Sequence, residues 1–347
     1  MSASLNSRRR AWYISTVALV AVVPSVFLGS SVFASASSAP LKASVQKQLK
    51  IGYIQTGPYD YYVRGVDGAK LAASKLGVKL LVLNSDGKPE KEIANVEDAI
   101  SQGVVGLIIF SVGKSSLTAD LAKAKAAKIP VVVLYGHDPS IESRGLAFIQ
   151  APVNVTGQKA GDWMAKNVTS GDVAVIQGAL GRGDAEAYTS SFKSALAVNS
   201  SLRIVATPEG GWDRAKAQSA MADILTSHPD LKAVFVQNDD MALGAVAAIK
   251  AAGKEKQVTI VSQNGSPDGI AAIASGDIAA TVAWSPAQEA QMALKRLADF
   301  LRNGIKPASK LCNTPTVVVT KANLAKAAPW VPTANSTKLA LKAKCAK

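Results

Sequence analysis

The stretch VFVQNDDMALGAV, Val234 to Val246, decides how the chain is read. Three apolar residues, Val234-Phe235-Val236, stop at Gln237-Asn238-Asp239-Asp240, and apolar positions then recur at helical spacing through Met241, Ala245 and Ile249. An unbroken apolar run marks a strand covered on both faces, as in parallel sheets packed between helices. Its polar end falls at the carboxyl edge of the sheet, where open α/β folds hold ligands. An amide there can donate to and accept from one ligand hydroxyl, so Asn238 is expected to face a ligand. Asp239 or Asp240 is expected to cap the helix that follows.

The same unit repeats along the chain. Apolar runs lie at 51–55, 80–83, 104–110, 130–134, 173–177, 203–207, 233–237, 258–262 and 279–283. Amphipathic stretches such as 88–102, 154–169, 184–198, 213–227 and 285–304 separate them. This βα alternation predicts an α/β protein with doubly wound parallel sheets. About 270 residues of such pattern exceed one compact layer, so two domains of similar plan are expected.

Aromatic residues and amides crowd the strand ends. Tyr59, Tyr61 and Tyr62 follow the first run, Tyr135 the fourth, and Tyr188 stands one turn beyond a Gly-rich loop at 178–183. Trp212, Asn238, Asn264 and Trp284 follow later runs. These nine residues are the expected ligand-binding set. Reactive groupings are missing: there is no nucleophile elbow and no Cys-His pair, and His137 and His228, the only histidines, have no partners at metal-ligand spacing. Gly113-Lys114-Ser115 sits like a phosphate loop, but the required earlier glycine is Ile108. Asp184 and Glu186 are expected to open a helix rather than to act as paired acids. A binding protein without metal or cofactor is expected, not an enzyme.

The ends place it in the cell. Arg8-Arg9-Arg10, an apolar core from Ala11 to Gly29, and Ala34-Ser35-Ala36 predict a cleavable signal peptide over residues 1–36 and a periplasmic protein. The length also permits an uncleaved anchor, against which Pro24 and the small-residue exit argue. The formal charge of +14 falls to +11 without this segment, and six lysines after Thr320 supply +6 of it. The rest is scattered without a basic-aromatic stripe, which argues against a nucleic-acid partner. The tail from residue 322 is expected to be a partly ordered basic extension. Cys312 and Cys345 form either one disulfide or two free thiols.

Residues 224–254, ILTSHPDLKAVFVQNDDMALGAVAAIKAAGK, and 258–286, VTIVSQNGSPDGIAAIASGDIAATVAWSP, closely resemble the ribose-type periplasmic sugar-binding proteins, the solute receptors of ABC importers. Segments 52–87, 94–112 and 129–135 resemble the same family, so the likeness runs from about 49 to 320. LacI-type repressors share the fold but begin with a DNA-binding helix-turn-helix, where this chain has an export signal. The resemblance implies two lobes joined by a three-strand hinge near Ala151, Trp284 and Asn313. It implies an N-terminal lobe of 48–151 plus 285–313, a C-terminal lobe of 152–284 plus 314–321, and the extension 322–347. It further implies a monomer that closes on one small molecule and docks on an ABC permease.

In the resemblance, Tyr61 and Tyr62 take the places of ring-sandwiching aromatics, Trp212 that of a further aromatic, and Asn238 is retained. The Asp-Arg pair expected after the fourth strand is Tyr135-Gly136, however. Tyr188 replaces an arginine, Asn264 an acid, and Trp284 the hinge glutamine. Bonds from charged groups to hydroxyls contribute about 1.5–3 kcal/mol each, so ribose itself is disfavoured. A less hydroxylated polyol, a cyclic or aromatic-bearing molecule, or a quaternary ammonium compound is expected. The alternative role is a sensory receptor for a quaternary-ammonium or aromatic ligand, signalling to a membrane kinase or chemoreceptor.

Overall fold

The computed structural model describes residues 48–136 and 138–345; the signal peptide expected over 1–36, and His137, lie outside them. The chain opens with β1 (Lys50–Gln55), α1 (Asp60–Leu76), β2 (Lys79–Asn84), α2 (Pro89–Ser101), β3 (Gly106–Phe110) and α3 (Lys114–Ala126). It continues with β4 (Val131–Leu134), β5 (Ala147–Gln150), α4 (Val153–Asn167), β6 (Gly171–Ile176) and α5 (Asp184–Leu196). Next come β7 (Leu202–Ala206), α6 (Arg214–Ser227), β8 (Ala233–Val236), α7 (Asp239–Ala251), β9 (Thr259–Asn264) and α8 (Pro267–Ser275). The last elements are β10 (Ala280–Ala283), α9 (Pro286–Asn303), β11 (Leu311–Asn313), β12 (Val317–Thr320) and α10 (Ala334–Ala340).

Two six-stranded sheets result, ordered β11-β5-β4-β3-β1-β2 and β12-β10-β9-β8-β6-β7. Every pairing is parallel except β10 with β12. The expected pair of doubly wound domains is therefore present. The chain passes between the sheets between Gln150 and Val153, between Ala283 and Pro286, and between Asn313 and Val317, which is the three-strand hinge.

Each sheet buries apolar side chains on both faces, and the quoted strand shows how. Val234 and Val236 point into the core that α6, α7 and α8 build with Met241 and Ile260, while Phe235 points into the core of α4 and α5. There it stacks on Phe192 with ring centroids 4.7 Å apart. Gly244 lets α7 lie close on α6, because a Cβ there would come within 2.2 Å of the carbonyl oxygen of Arg214. The first sheet is likewise enclosed, by α1 and α9 over Tyr53 and Ile108, and by α2 and α3 over Leu107 and Ile109.

The helix after the quoted strand is not capped as expected. Oδ1 of Asn238 accepts the backbone N–H of Met241 at 2.6 Å, so Asn238 is the N-cap. Asp239 is buried instead. It accepts the hydroxyls of Ser262 (2.6 Å) and Thr281 (2.8 Å) and the N–H of Ser266 (2.6 Å), tying α7 to β9, α8 and β10. Asp240 lies at the surface and pairs with Arg214. A cap needs extended backbone just before the first helical turn, and that turn begins one residue earlier than the sequence suggests.

The segment after Thr320 is more than a partly ordered extension. A 3₁₀ turn at Lys321–Lys326 lays Leu324 against the second core, Trp330 is only 6% exposed, and α10 buries Thr337 and Ala340. Of the two cysteine alternatives the disulfide is the one formed, with Cα atoms of Cys312 and Cys345 4.9 Å apart.

Candidate ligand-binding cleft

The carboxyl ends of both sheets face a cleft of about 650 Å³, within the usual range for small-molecule sites. All nine expected residues line it: Tyr59, Tyr61, Tyr62, Tyr135, Tyr188, Trp212, Asn238, Asn264 and Trp284. They sit at different depths. Tyr59 is at the rim, 57% exposed, whereas Tyr135, Tyr188 and Trp284 are buried at the floor.

Rings from consecutive loops meet edge to face on one wall. Tyr62 is 4.7 Å from Phe110 and 5.8 Å from Tyr61, and Phe110 stacks on Tyr135 at 5.3 Å. Tyr61 stands at the centre of this cluster, and its hydroxyl is turned toward the hinge. It donates to Oε2 of Glu289 (2.6 Å), accepts from Nε1 of Trp284 (2.8 Å), and lies 3.2 Å from the Tyr135 hydroxyl. The indole N–H of Trp284 is thus committed to another side chain, and Tyr61 offers a ligand its ring rather than its oxygen.

The turns that aim three of these side chains are strained. Tyr135, Trp212 and Asn264 have φ of 61°, 63° and 108°, values that favour glycine, and each neighbours a glycine of positive φ: Gly136, Gly211 and Gly265. Such conformations cost of order 1–3 kcal/mol each and persist where the surroundings hold them. Trp212 is held by its fit over Gly178, where a Cβ would come within 2.0 Å of the indole.

Polar groups complete the lining. Asn238 uses Oδ1 as a cap, and among the described residues its Nδ2 makes no hydrogen bond, so half of its amide faces the cleft. Gln263, also in the lining and 1% exposed, donates from Nε2 to the carbonyl of Gln237 while its Oε1 is buried without a partner. A buried acceptor of this kind costs about 1–3 kcal/mol unless a donor reaches it.

Three contributors escaped the sequence reading. Arg182, in the loop after β6, reaches across to the first lobe: it lies over the ring of Phe110 (5.7 Å) and donates to the carbonyl of Ser111 (3.4 Å). It also forms a two-pronged pair with Asp184, the first residue of α5, with Nε 3.1 Å from Oδ1. A guanidinium is therefore present where Tyr188 had suggested its loss, but its charge is met by Asp184. The signal was a cation inside a glycine-rich loop. Trp330, from the C-terminal segment, lines the cleft too, and a lone tryptophan among Ala, Lys and Pro was the hint. Glu289, on α9, is the third, sealed behind Tyr61 and Trp284. Burial pushes its carboxyl up to about 8, against hydrogen bonds from Tyr61, Tyr135, Thr314 and the N–H of Ala151 that pull it down.

The cations of the cleft are all matched: Arg64 by Asp60, Arg182 by Asp184, and Arg214 by Asp240. Among the described residues no group of three or more His, Cys, Asp or Glu is placed to hold a metal.

Comparison with known proteins agrees with this geometry. The profile of the periplasmic binding protein domain matches residues 51–305. The ribose import binding protein RbsB of Salmonella typhimurium is 37% identical over 264 residues, 75% of this chain and 88% of the relative. The D-apiose import binding protein of Paraburkholderia graminis is 31% identical over 271 residues, 77% of this chain and 85% of its own. Among solved structures, the periplasmic binding protein component of the arabinose ABC transporter from Shewanella sp. ANA-3, bound to α- and β-L-arabinofuranose, is 32% identical. It superposes with a TM-score of 0.74 over 86% of this chain and 99% of that one. These three relatives are sugar-binding proteins of import systems. By sequence, by the twin parallel sheets and by the cleft between them, the chain belongs to the periplasmic binding protein domain family, in its ribose-type sugar-binding group.

Proposed function

We propose that the protein is an extracytoplasmic solute receptor that closes on one small, neutral, cyclic molecule, a furanose-sized sugar or a cyclic polyol, and delivers it to an ABC permease. The observation that carries this reading is the pairing of a ring-lined wall with a buried, partnerless acceptor, Gln263 Oε1, and a free donor, Asn238 Nδ2. Rings cover the apolar face of a cyclic guest, and one hydroxyl at its edge can donate to Gln263 while another accepts from Asn238. Matched cations leave no site for an anionic ligand. A solved galactofuranose binding protein and relatives solved with L-arabinofuranose and β-D-fucofuranose support a five-membered ring.

In this reading the N-terminal lobe is 48–151 plus 285–313, the C-terminal lobe 152–284 plus 314–321, and residues 1–36 direct export. The receptor is a monomer and leaves its guest unaltered. Among the described residues burial pushes three acids upward: Glu289 and Asp120 lie outside the lining of the cleft, and Asp239, within it, has both carboxylate oxygens engaged by Ser262, Thr281 and the N–H of Ser266. Calorimetric titration with L-arabinose, D-galactose, D-fucose, D-ribose, myo-inositol, glycerol and choline tests it. Binding of a sugar or cyclitol supports the reading. Binding of choline alone turns the ring wall into a cation cage and transfers the case to the sensory alternative. Silence toward every compound, or recovery of a chemically altered one, overturns it.

A further inference from the structure

We propose that the segment after Thr320 is a fourth connection between the lobes, a strap that carries Trp330 into the cleft as a specificity-determining residue. The specificity half of the proposal rests on the cleft being the ligand site.

The path of the segment is the first ground. Its 3₁₀ turn places Leu324 and Ala327 against the core of the second sheet. Pro329 and Trp330 then cross at the hinge, where the hydroxyl of Ser285 donates to the carbonyl of Pro329 at 2.6 Å. Beyond that point α10 lies on the first lobe: Nε2 of Gln291, on α9, donates to Oγ1 of Thr337 at 2.9 Å, both residues buried, and Leu341 and Ala343 pack against the first core. The end is fastened covalently, Cys345 to Cys312, in the strand that leads into the third crossing. One chain segment thus grips both lobes and is locked at its far end.

The second ground is what Trp330 does at the crossing. Its Nε1 donates to the carbonyl of Trp284 at 2.9 Å and reaches that of Asn264 at 3.2 Å. These are the main chains of two residues that line the cleft, so the indole fixes the turn on which each is mounted. Its ring meets Tyr61 edge to face at 5.5 Å and forms part of the cleft wall itself. An aromatic side chain that is 94% buried, bonded at its polar atom and packed at its edge is held in one orientation. A wall so fixed discriminates by shape, because a guest that overlaps the indole cannot push it aside without breaking two hydrogen bonds at the hinge.

Two measurements on the full mature chain test the strap. The first uses no ligand: hydrogen–deuterium exchange at residues 150–153, 283–286 and 313–317 in wild type, Trp330→Phe and Cys345→Ser. The Phe variant keeps the ring and loses the N–H, and Cys345 is remote from the cleft. Faster exchange at the crossings in both variants is expected; unchanged exchange overturns the fourth connection. The second is titration of wild type, Trp330→Phe and Trp330→Ala with whichever of L-arabinose, D-ribose, myo-inositol and glycerol wild type binds. Affinity is expected to fall at least about tenfold in Trp330→Ala, less in Trp330→Phe, with the order of preference among the probes altered. Affinity within twofold of wild type and an unaltered order overturn the role of Trp330. If wild type binds none of the probes, the functional reading fails and the exchange experiment still judges the strap.

Discussion

The carboxyl group of Glu289, 1% exposed, receives the hydroxyl of Tyr61 at 2.6 Å, and around this bond all three crossings meet. Ala151 from the first, Trp284 from the second and Thr314 from the third each contact one of the partners, directly or through Tyr135. The hinge is therefore built around a buried acid that faces two tyrosines and no cation.

A pH dependence follows. The carboxyl of Glu289 titrates near 4.5 when exposed and is pushed up to about 8 by burial. Its contribution to stability is full below about 4.5 and is lost as pH rises through about 8, since the folded chain holds the proton more tightly than the unfolded one. Thermal melts from pH 5 to 9 are expected to show a falling Tm in wild type and a flatter profile in Glu289→Gln. Parallel profiles would contradict the assignment.

Asn238, Asp239 and Asp240, at the start of α7, are expected to separate in urea denaturation. Asn238→Ala removes the cap and costs about 0.5–2 kcal/mol, with loss of affinity for any cleft ligand. Asp240→Ala removes a half-exposed pair and costs about 1 kcal/mol or less. Asp239→Ala leaves the buried hydroxyls of Ser262 and Thr281 without their acceptor and is the most destabilising of the three.

Arg182→Ala strands Asp184, whose side chain is 5% exposed, and removes the reach to Ser111 in the other lobe. Breaking a buried pair from one side costs about 3–5 kcal/mol. Solution scattering of the ligand-free variant is expected to show a larger radius of gyration than wild type. An unchanged radius would mean that Arg182 does not hold the lobes together.

Gly178→Ala is expected to displace Trp212, since the new methyl would sit within 2.0 Å of the indole. Overpacking of this kind costs about 1–3 kcal/mol. Calorimetric titration with any ligand bound by wild type checks it: weaker binding is expected, and equal binding would remove Trp212 from the cleft wall.

The scaffold was legible because parallel strands covered on both faces leave continuous apolar runs; the residues of VFV alternate between two cores and all had to be apolar. The mouths of the strands were legible for the same reason, so the nine residues named from their positions share one cleft. What escaped depends on closure in three dimensions. Asn238 rather than Asp239 caps α7 because the backbone turns one residue early. Glu289 reads as one more acid on an amphipathic helix until the crossings converge on it. Trp330 meets Tyr61 from 269 positions away in the chain, a distance that no local periodicity encodes.

The outer strands β11 and β12 lie next to each other in sequence, yet each finishes a different sheet, β11 beside β5 and β12 beside β10. The first layer cannot be completed until the ribosome has passed residue 313, nor the second until it has passed residue 320, and the strap follows later still. During synthesis the growing polypeptide carries two unfinished edges at once, open to pairing with a neighbour. A chain cut short at residue 305 would keep both edges bare and is expected to aggregate rather than to yield a smaller receptor.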